Sequence, residues 1–365
     1  MKNNQIYLEH IEKYLTNCLV KLDHKFLKNL FQKVSNSEKP YLDKNFVKEI
    51  GLKYNGNCKK CVSLYALFRK NRFIEFRTLQ KLCKFSNYDW SHIERNILFI
   101  RAGRHGGEIG NIFPVEIDSF LGGIIGHILG DGSITKKYLQ VFFTNKDKDL
   151  ILEFYYSMKK VFHIEPRIWL QESGKFKTKS KWIRKINSAK EIPVNSQIGL
   201  FYPSICGIIL NTIFDNFAVG KNKSITKPIT NASREFKTFF VRAFFDDEGH
   251  MDKKRGPRFH QDNKQILEKI KEILIELGIN SFPIRKYKRK GKLRHYFNIN
   301  QRTNYKNYFD IIGCTSKKKS ETLRKLIGNK MDKEEKKLLE EQNELIRELI
   351  ISLEDVKAGR IKPFK

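Results

Sequence analysis

The hydrophobic and polar positions of this chain follow one pattern twice. Ile124–Gly132 is an apolar run that closes with an acid and a glycine, and Val241–Gly249 closes in the same way 117 residues later. A polar, β-prone stretch, an amphipathic helix and a charged hairpin follow each run. Apolar residues of the two helices correspond at a spacing of 115, as Ile151 does with Ile266. The sequence therefore predicts an internal duplication.

The segments on either side of the duplication differ from it. Residues 1–112 predict a mostly helical N-terminal domain, in which 78–98 contains two short amphipathic segments around a polar break. That pattern is compatible with a helix-turn-helix, whose second helix could enter a major groove, and equally with plain helices. The glycines of 101–110 predict a linker. Residues 329–365 predict an acidic amphipathic helix that packs on the body or forms a dimer seam.

The charge of the chain is strongly positive along its whole length. There are 71 Lys and Arg against 40 Asp and Glu, and residues 1–114, 115–228 and 229–365 contribute +11, +7 and +13 to the total of +31. A polyanionic partner is the first inference from such an excess. Neither an export signal nor an apolar run of the roughly 18 residues that a membrane span needs is present. Six Cys do not make a disulfide scaffold, so we expect an intracellular protein of the cytoplasm, nucleoid or organelle matrix, without a membrane partner.

Two acids are predicted at the carboxyl ends of two closely packed helices. Gly122, Gly126 and Gly130 recur every four residues and line one stripe, along which the backbone of a second helix can approach closely. Two such helices would bring Asp131 and Glu248 together at their ends. Taken singly, each motif is more typical of an ordinary helix-exit turn.

Acids in this position predict bound cations. They face the negative end of a helix dipole, and two acids that lie close together repel each other. Hard divalent ions such as Mg²⁺ take carboxylate, main-chain carbonyl and water oxygens, and the free carbonyls at the helix ends are available as ligands. Two such sites suit phosphodiester hydrolysis, because a metal activates water and stabilises the leaving oxygen.

The two runs resemble the signature helices of the LAGLIDADG homing endonucleases, specifically of the single-chain members that carry both motifs. The resemblance covers roughly 115–327. It implies an α+β fold with two pseudo-symmetric αββαββα halves, here 113–228 and 229–328, which form a DNA-binding β-saddle. It also implies a monomer that cuts both strands of double-stranded DNA at a specific site with Mg²⁺ or Mn²⁺. By position, Asp131 and Glu248 match the metal-binding catalytic acids of that family.

Four further residues match positions where the family places polar or basic side chains around metal-bound water. Asn145 closes the strand after the first motif, and Gln261 is its repeat partner 116 residues later. Lys253 is the nearest lysine after the second motif, and Lys223 lies in a stretch that resembles the one closing the first half in some members. Simple phosphate contacts are the alternative interpretation of these four side chains.

Strands that bind DNA should alternate a helix-packed face with a polar face. Leu139, Val141, Phe143, Phe297 and Ile299 are predicted to point inward. In the second half, Arg294, Tyr296, Asn298 and Asn300 are predicted to point outward. The hairpin 285–294 has seven basic residues in ten, and such a ribbon can enter a major groove while most of its lysines contact phosphates. The candidate DNA-contacting residues are Lys136, Gln140, Lys175, Lys177, Arg258, Arg285, Lys288, Arg289, Arg294 and Asn298.

The alternative function is a nucleic-acid-binding protein of the same fold that does not cleave. It would be an RNA maturase with intron RNA as its partner, or a DNA-binding regulator; both acids together favour cleavage. Cys58 and Cys61 have half of a zinc-knuckle spacing without a convincing second pair, so zinc is not predicted. His127 lies one helical turn before Asp131 and is interpreted as a buried polar group between helices.

Overall fold

The computed structural model describes residues 5–35, 73–103, 106–171, 184–185, 197–220, 222–289 and 291–328. The predicted C-terminal helix at 329–365 lies outside these residues, as do Cys58 and Cys61. Among the described helices, none is long and apolar enough to cross a membrane. The fold is mixed α and β with antiparallel sheets, which confirms the predicted α+β class.

The N-terminal domain contains a sheet that the sequence pattern does not predict. Four of its strands form one antiparallel sheet in the order β3-β2-β4-β5, with helices packed around it. The elements are β1 (Gln5–Ile6), α1 (Leu8–Ile11), a 3₁₀ turn (Glu12–Tyr14), β2 (Cys18–Leu22), α2 (His24–Ser35), β3 (Ile74–Glu75), α3 (Phe76–Ser86), α4 (Trp90–Arg95), β4 (Ile97–Ala102), β5 (Glu108–Gly110) and β6 (Val115–Glu116).

Two expectations for this domain need correction. The glycine-rich segment 101–110 is not a linker, because Arg101 pairs with Glu108 in the β4–β5 hairpin. The second amphipathic segment of 78–98 is shorter than expected: α4 ends at Arg95, and the residues after it enter β4. The local reason is that Ile97–Ile100 is a short run of β-branched, aromatic and aliphatic residues, which favours a strand.

The two predicted halves begin with the same order of elements, a helix, two strands, a second helix and further strands, and they differ after that point. The first contains α5 (Ser119–Leu129), β7 (Ser133–Ile134), β8 (Val141–Asn145), α6 (Lys148–Phe162), β9 (Arg167–Gln171), β10 (Arg184–Lys185), β11 (Gln197–Tyr202) and α7 (Ser204–Ile213). The second contains α9 (Arg234–Glu248), β14 (Gly249–Asp252), β15 (Gly256–Gln261), α10 (Lys264–Glu276), β16 (Arg285–Arg289), β17 (Lys292–Asn298), α11 (Arg302–Ile311) and α12 (Lys317–Ile327). Between them lie β12 (Ala218–Val219), β13 (Asn222–Lys223) and α8 (Lys227–Thr230).

The sheets of the two halves correspond strand by strand. Their orders are β7-β8-β11-β9-β10 and β14-β15-β17-β16, with antiparallel pairing throughout. The first half thus has one additional edge strand. Val141, Phe143, Phe297 and Ile299 are fully buried, as the alternation predicts, whereas Leu139 precedes β8 and is half-buried against the core. The topology therefore agrees with an internal duplication.

The centre of the fold is the contact between α5 and α9. Nearly all of α5 is buried, because its apolar residues surround the helix axis, and Asp118 caps it by accepting from the Leu121 amide at 2.9 Å. A Cβ at Gly122 or Gly126 would collide with a main-chain carbonyl of α9. The glycine stripe is therefore required by the close approach of the two helices, as predicted.

The N-terminal domain packs on the first half. Gln5 of β1 pairs with Glu116 of β6, directly before α5, and both α1 and β4 contact α7. This contact places the N-terminal domain beside the helix α5 whose end forms the candidate site.

Candidate active site

Asp131 and Glu248 lie together where α5 and α9 end. Asp131 follows α5 and is exposed, whereas Glu248 is the last residue of α9 and is half-buried. The two carboxyls are close enough that the charge of Glu248 raises the pKa of Asp131. The structure thus brings together the two acids that the duplicated motif singles out.

The surroundings of both acids favour the protonated form. Loss of hydration, followed by the charges of Asp247 and Glu248, raises the pKa of Asp131 to about 7. Burial also raises the pKa of Glu248, although Lys223 and a hydrogen bond from Gln261 oppose that rise. The carboxyl groups of Asp131, Asp247 and Glu248 share one small region, and their mutual repulsion is unfavourable unless a cation is bound there.

Each acid is held by an amide from the strand that follows it. Asn145 Nδ2 donates to Asp131 Oδ2 at 3.0 Å, and its Oδ1 accepts from the Asp147 amide at 2.9 Å. On the other side the Gln261 side chain hydrogen-bonds to Glu248, and its Oε1 accepts from the Asp262 amide at 2.8 Å. The main-chain donors fix which end of each amide faces the acid, so the amide NH₂ groups point to the carboxylates.

Each helix end is also capped by a lysine. Lys223 Nζ donates to the carbonyls of Leu129, Gly130 and Gly132 at 3.2, 2.7 and 2.8 Å. Burial lowers the pKa of Lys223, and the nearby acids oppose that shift. A cation at this end of a helix is favoured by the helix dipole. The predicted residue Lys223 therefore belongs to the site, through the backbone of α5.

The corresponding lysine of the second half is Lys319, which no motif or repeat spacing in the sequence indicates. Its Nζ donates to the carbonyls of Phe245, Asp246 and Gly249 at 2.9, 2.6 and 2.8 Å. Lys253, predicted from its position after the second motif, is exposed in the turn between β14 and β15. The structure thus places Lys319, rather than Lys253, against the end of α9.

These two lysines correct one expectation about metal ligands. The carbonyls at the helix ends were expected to be free for a metal, but those of Gly130 and Gly132 accept from Lys223. The same holds for Gly249 and Lys319. Each of these carbonyls keeps a second lone pair, so the carboxylate oxygens of Asp131 and Glu248 are the main, but not the sole, groups available to bind a cation.

A third acid, Asp247, lies buried between the other two. Its side chain has no exposed surface, and Oδ2 accepts from the Asp131 amide at 3.3 Å and lies 3.0 Å from His127 Nδ1. Oδ1 accepts from Asn145 Nδ2 at 3.3 Å. His127 is completely buried between the helices, in agreement with its interpretation as a buried polar group.

The donor set fits a hard cation that retains water. Among the described residues, no group of three or more His, Cys, Asp or Glu side chains has metal-binding geometry. Asp131 and Glu248 offer carboxylate oxygens, and Mg²⁺ is commonly held by one or two carboxylates together with waters and substrate phosphates. The pKa values of both acids are raised first by burial and then by neighbouring carboxylates, and a bound cation would offset both effects.

The candidate DNA-contacting residues occupy several positions. Lys136 is exposed after β7, Gln140 is half-buried before β8, and Arg285 and Lys288 are exposed on β16. Arg289 ends β16, opposite Lys292 of β17. Lys175 and Lys177 lie outside the described residues.

Three residues of the second sheet contact protein groups. Arg258 Nε donates to Asn298 Oδ1 at 3.2 Å, and Asn298 Nδ2 donates to a main-chain carbonyl at 3.3 Å. Asn298 is only 8% exposed, so the expectation that it faces outward is wrong. Its amide is held by the neighbouring strand and by the turn after β14. Arg294 pairs with Asp262 at 3.1 Å on the surface.

The second half also matches a known domain family. Residues 235–313 match the family described as LAGLIDADG-like domain. This stretch begins inside α9 and includes Glu248 and Gln261. The first half is not part of the match, so the two-motif architecture stays a prediction. No curated protein matches the chain.

Solved structures with a similar arrangement have low sequence identity. Mesophilic variants of the homing endonuclease I-DmoI are 17% identical over 54% of this chain and 96% of theirs, with a TM-score of 0.37. I-DmoI in complex with DNA and Mn is 15% identical over 54% of this chain and 98% of its own, also at 0.37. Full-length DUF199/WhiA from Thermatoga maritima is 13% identical over 64% and 68%, at 0.36. At this level the similarity concerns the fold alone.

Proposed function

We propose that this chain is a metal-dependent endonuclease that hydrolyses both strands of double-stranded DNA at a specific site. One observation carries the proposal: the same set of acid, amide and lysine occurs at the ends of two adjoining helices. The first set is Asp131, Asn145 and Lys223, and the second is Glu248, Gln261 and Lys319. Two sets, one for each strand, are what cleavage of a duplex by a single chain requires.

The protein groups at each helix end would divide the work. A divalent cation bound by the acids, Mg²⁺ or Mn²⁺, would supply Lewis-acid stabilisation of the leaving oxygen and a more acidic water. Asn145 and Gln261 hold the carboxylates in a fixed orientation, and the two lysines neutralise the helix ends. Because the amides and lysines are already hydrogen-bonded, little reorganisation is needed when a phosphate arrives.

The basic surface would hold the duplex against these acids. Arg285 and Lys288 are exposed on the β16–β17 hairpin, and Lys136 is exposed near the first site. Contacts of this kind give affinity that falls steeply with salt, whereas sequence is read by side chains that reach base edges. The proposal includes a monomer whose two halves face one duplex. Together the halves would form the β-saddle that the family resemblance implies.

Cleavage of a randomised plasmid library tests the proposal without knowledge of the target. Purified protein with Mg²⁺ should linearise a reproducible subset of plasmids, and a chelator should prevent it. Asp131→Asn and Glu248→Gln should each abolish double-strand cleavage while DNA binding persists. Glu116→Gln, which changes an exposed acid on β6, is the matched control and should cut normally.

The same experiment separates the alternative function. Salt-dependent binding of DNA or of structured intron RNA, without any cut in Mg²⁺ or Mn²⁺, would indicate a protein that does not cleave, such as a maturase or a regulator. Full cleavage by both acid variants would instead remove Asp131 and Glu248 from the chemistry.

A further inference from the structure

A continuous row of four ionisable side chains lies beneath the two acids; His127 and Asp247 are fully buried, and Glu153 and Arg242 are partly buried. Arg242 of α9 binds Glu153 of α6 at 3.1 Å, Glu153 Oε2 lies 3.5 Å from His127 Nε2, and His127 Nδ1 lies 3.0 Å from Asp247 Oδ2. The row therefore begins and ends on α9 and passes through α6 and α5 of the first half. It ties the two halves together directly below the site.

The row is balanced in charge when His127 is protonated. Burial alone lowers the pKa of His127, but Asp247 and Glu153 outweigh it and raise that pKa to about 10. The pKa of Glu153 is lowered to about 2, because His127 and Arg242 overcome the effect of burial. In the imidazolium state Nδ1 donates to Asp247, and Nε2 faces the Glu153 carboxylate as an ion pair at 3.5 Å.

The duplication shows that this row is not required for packing alone. At the spacing of 117 that relates the two motifs, His127 corresponds to Phe244 and Asp247 corresponds to Gly130. The equivalent positions are thus filled without charge in the opposite half. Replacing buried ion pairs with apolar residues is often neutral or stabilising, so stability by itself does not account for the charges.

Both oxygens of Asp247 are used within the protein. Oδ2 contacts His127 and the Asp131 amide, and Oδ1 accepts from Asn145. The side chain is inaccessible, so Asp247 has no oxygen to offer a metal. Asp247 contacts the main chain of Asp131, a proposed metal ligand. It also contacts the Asn145 amide, which orients the Asp131 carboxylate.

We propose that Asp247 is a positioning residue for the first metal site, held in place by His127, Glu153 and Arg242. It fixes the Asn145 amide and the Asp131 main chain, so that the Asp131 carboxylate keeps one orientation. This inference rests on the proposed function, since it takes Asp131 as a metal ligand.

Titration of the full-length protein with Mn²⁺ alone, followed by electron paramagnetic resonance, tests the proposal. Asp247→Asn keeps the volume but loses an acceptor, and we expect about 10- to 100-fold weaker Mn²⁺ binding with DNA binding in chelator unchanged. Glu94→Gln is the matched control, because Glu94 is a buried acid that accepts from the Leu8 amide far from the site, and it should bind Mn²⁺ normally.

A double variant separates positioning from folding. His127→Phe with Asp247→Ala removes one positive and one negative charge and leaves Glu153 paired with Arg242. We expect it to melt near the wild-type temperature and yet to bind Mn²⁺ as weakly as Asp247→Asn does. His127→Phe alone should melt lower, because it leaves Asp247 buried without a cation.

The outcomes are distinct. Wild-type Mn²⁺ affinity in the folded double variant, or in Asp247→Asn, would overturn the positioning role. Unfolding of both variants would also overturn it, since Asp247 would then be structural. If Asp131→Asn itself leaves Mn²⁺ binding unchanged, the proposed function fails; if Asp131→Asn abolishes binding and the Asp247 variants do not weaken it, only this inference fails.

Discussion

The ends of α5 and α9 are alike in every group that faces the proposed metals and different in what lies beneath. Lys223 and Lys319 each cap one helix through three carbonyls, although the spacing between them, 96, departs from that of the motifs. Beneath the helices, Gly130 meets Asp247 directly. The set of acid, amide and lysine therefore occurs at both helix ends, while the packing between the two halves is asymmetric.

That asymmetry teaches where an internal repeat is free to change. Two helices that approach backbone to backbone cannot carry large side chains at the same level on both. Gly130 on one helix makes room for the Asp247 carboxylate on the other. In the same way, Gly126 makes room for the main-chain carbonyl of Phe240 and the methyl group of Ala243. A charge can then be added on one side only, as long as a partner such as His127 is buried with it.

Removing either lysine cap should destabilise the fold markedly. Lys223→Met and Lys319→Met each leave three carbonyls without their donor, and we expect a loss of about 1–3 kcal/mol in the free energy of unfolding. Urea denaturation measures it. Lys253→Met, in the exposed turn, is the control and should change the free energy of unfolding little. If Lys319→Met also left that free energy unchanged, the lysine caps of α5 and α9 would not be equivalent.

A matched glycine pair on α5 tests the close approach of the helices. Gly126→Ala would press a methyl group against the Phe240 carbonyl and should cost about 1–3 kcal/mol of unfolding free energy. Gly123→Ala meets only Ser157 Oγ and Glu153 Oε1 near 4 Å and should be neutral or gain up to about 1 kcal/mol from helix propensity. Equal melting temperatures for the two variants would contradict tight apposition of α5 and α9.

The pH dependence of the first site gives a smaller effect of defined sign. Without metal, the folded pKa of Asp131 is raised from 3.8 to about 7, so the wild type loses stability as the pH rises between those values. Asp131→Asn should therefore be the more stable protein near pH 8 and equal to the wild type near pH 4. Glu248→Gln should shift stability in the same direction. Thermal melts in chelator measure both, and a variant that is less stable near pH 8 would show that the acid is structural.

The sequence predicts the parts of the site that keep a constant spacing. Asp131 and Glu248, and then Asn145 and Gln261, lie at spacings of 117 and 116, because the stretch from acid to amide is 14 residues in the first half and 13 in the second. Lys319 could not be found in this way, because 92 residues separate Asp131 from Lys223 and only 71 separate Glu248 from Lys319.

Other features depend on tertiary contacts that no local pattern contains. Asn298 has the alternation of an outward residue, yet Arg258 from the neighbouring strand covers it. The N-terminal sheet includes strands as short as Ile74–Glu75 and Glu108–Gly110, which are too short to show periodicity. Asp247 and His127 lie 120 residues apart and pair only because the glycine stripe lets their helices touch.

Anomalous diffraction from crystals grown with Mn²⁺ and a bound duplex tests the central claim most directly. Manganese peaks within ligand distance of the Asp131 and Glu248 carboxylates, and none in the Asp131→Asn, Glu248→Gln double variant, are what the account predicts. Manganese bound elsewhere, or a duplex that lies away from both carboxylates, would contradict it.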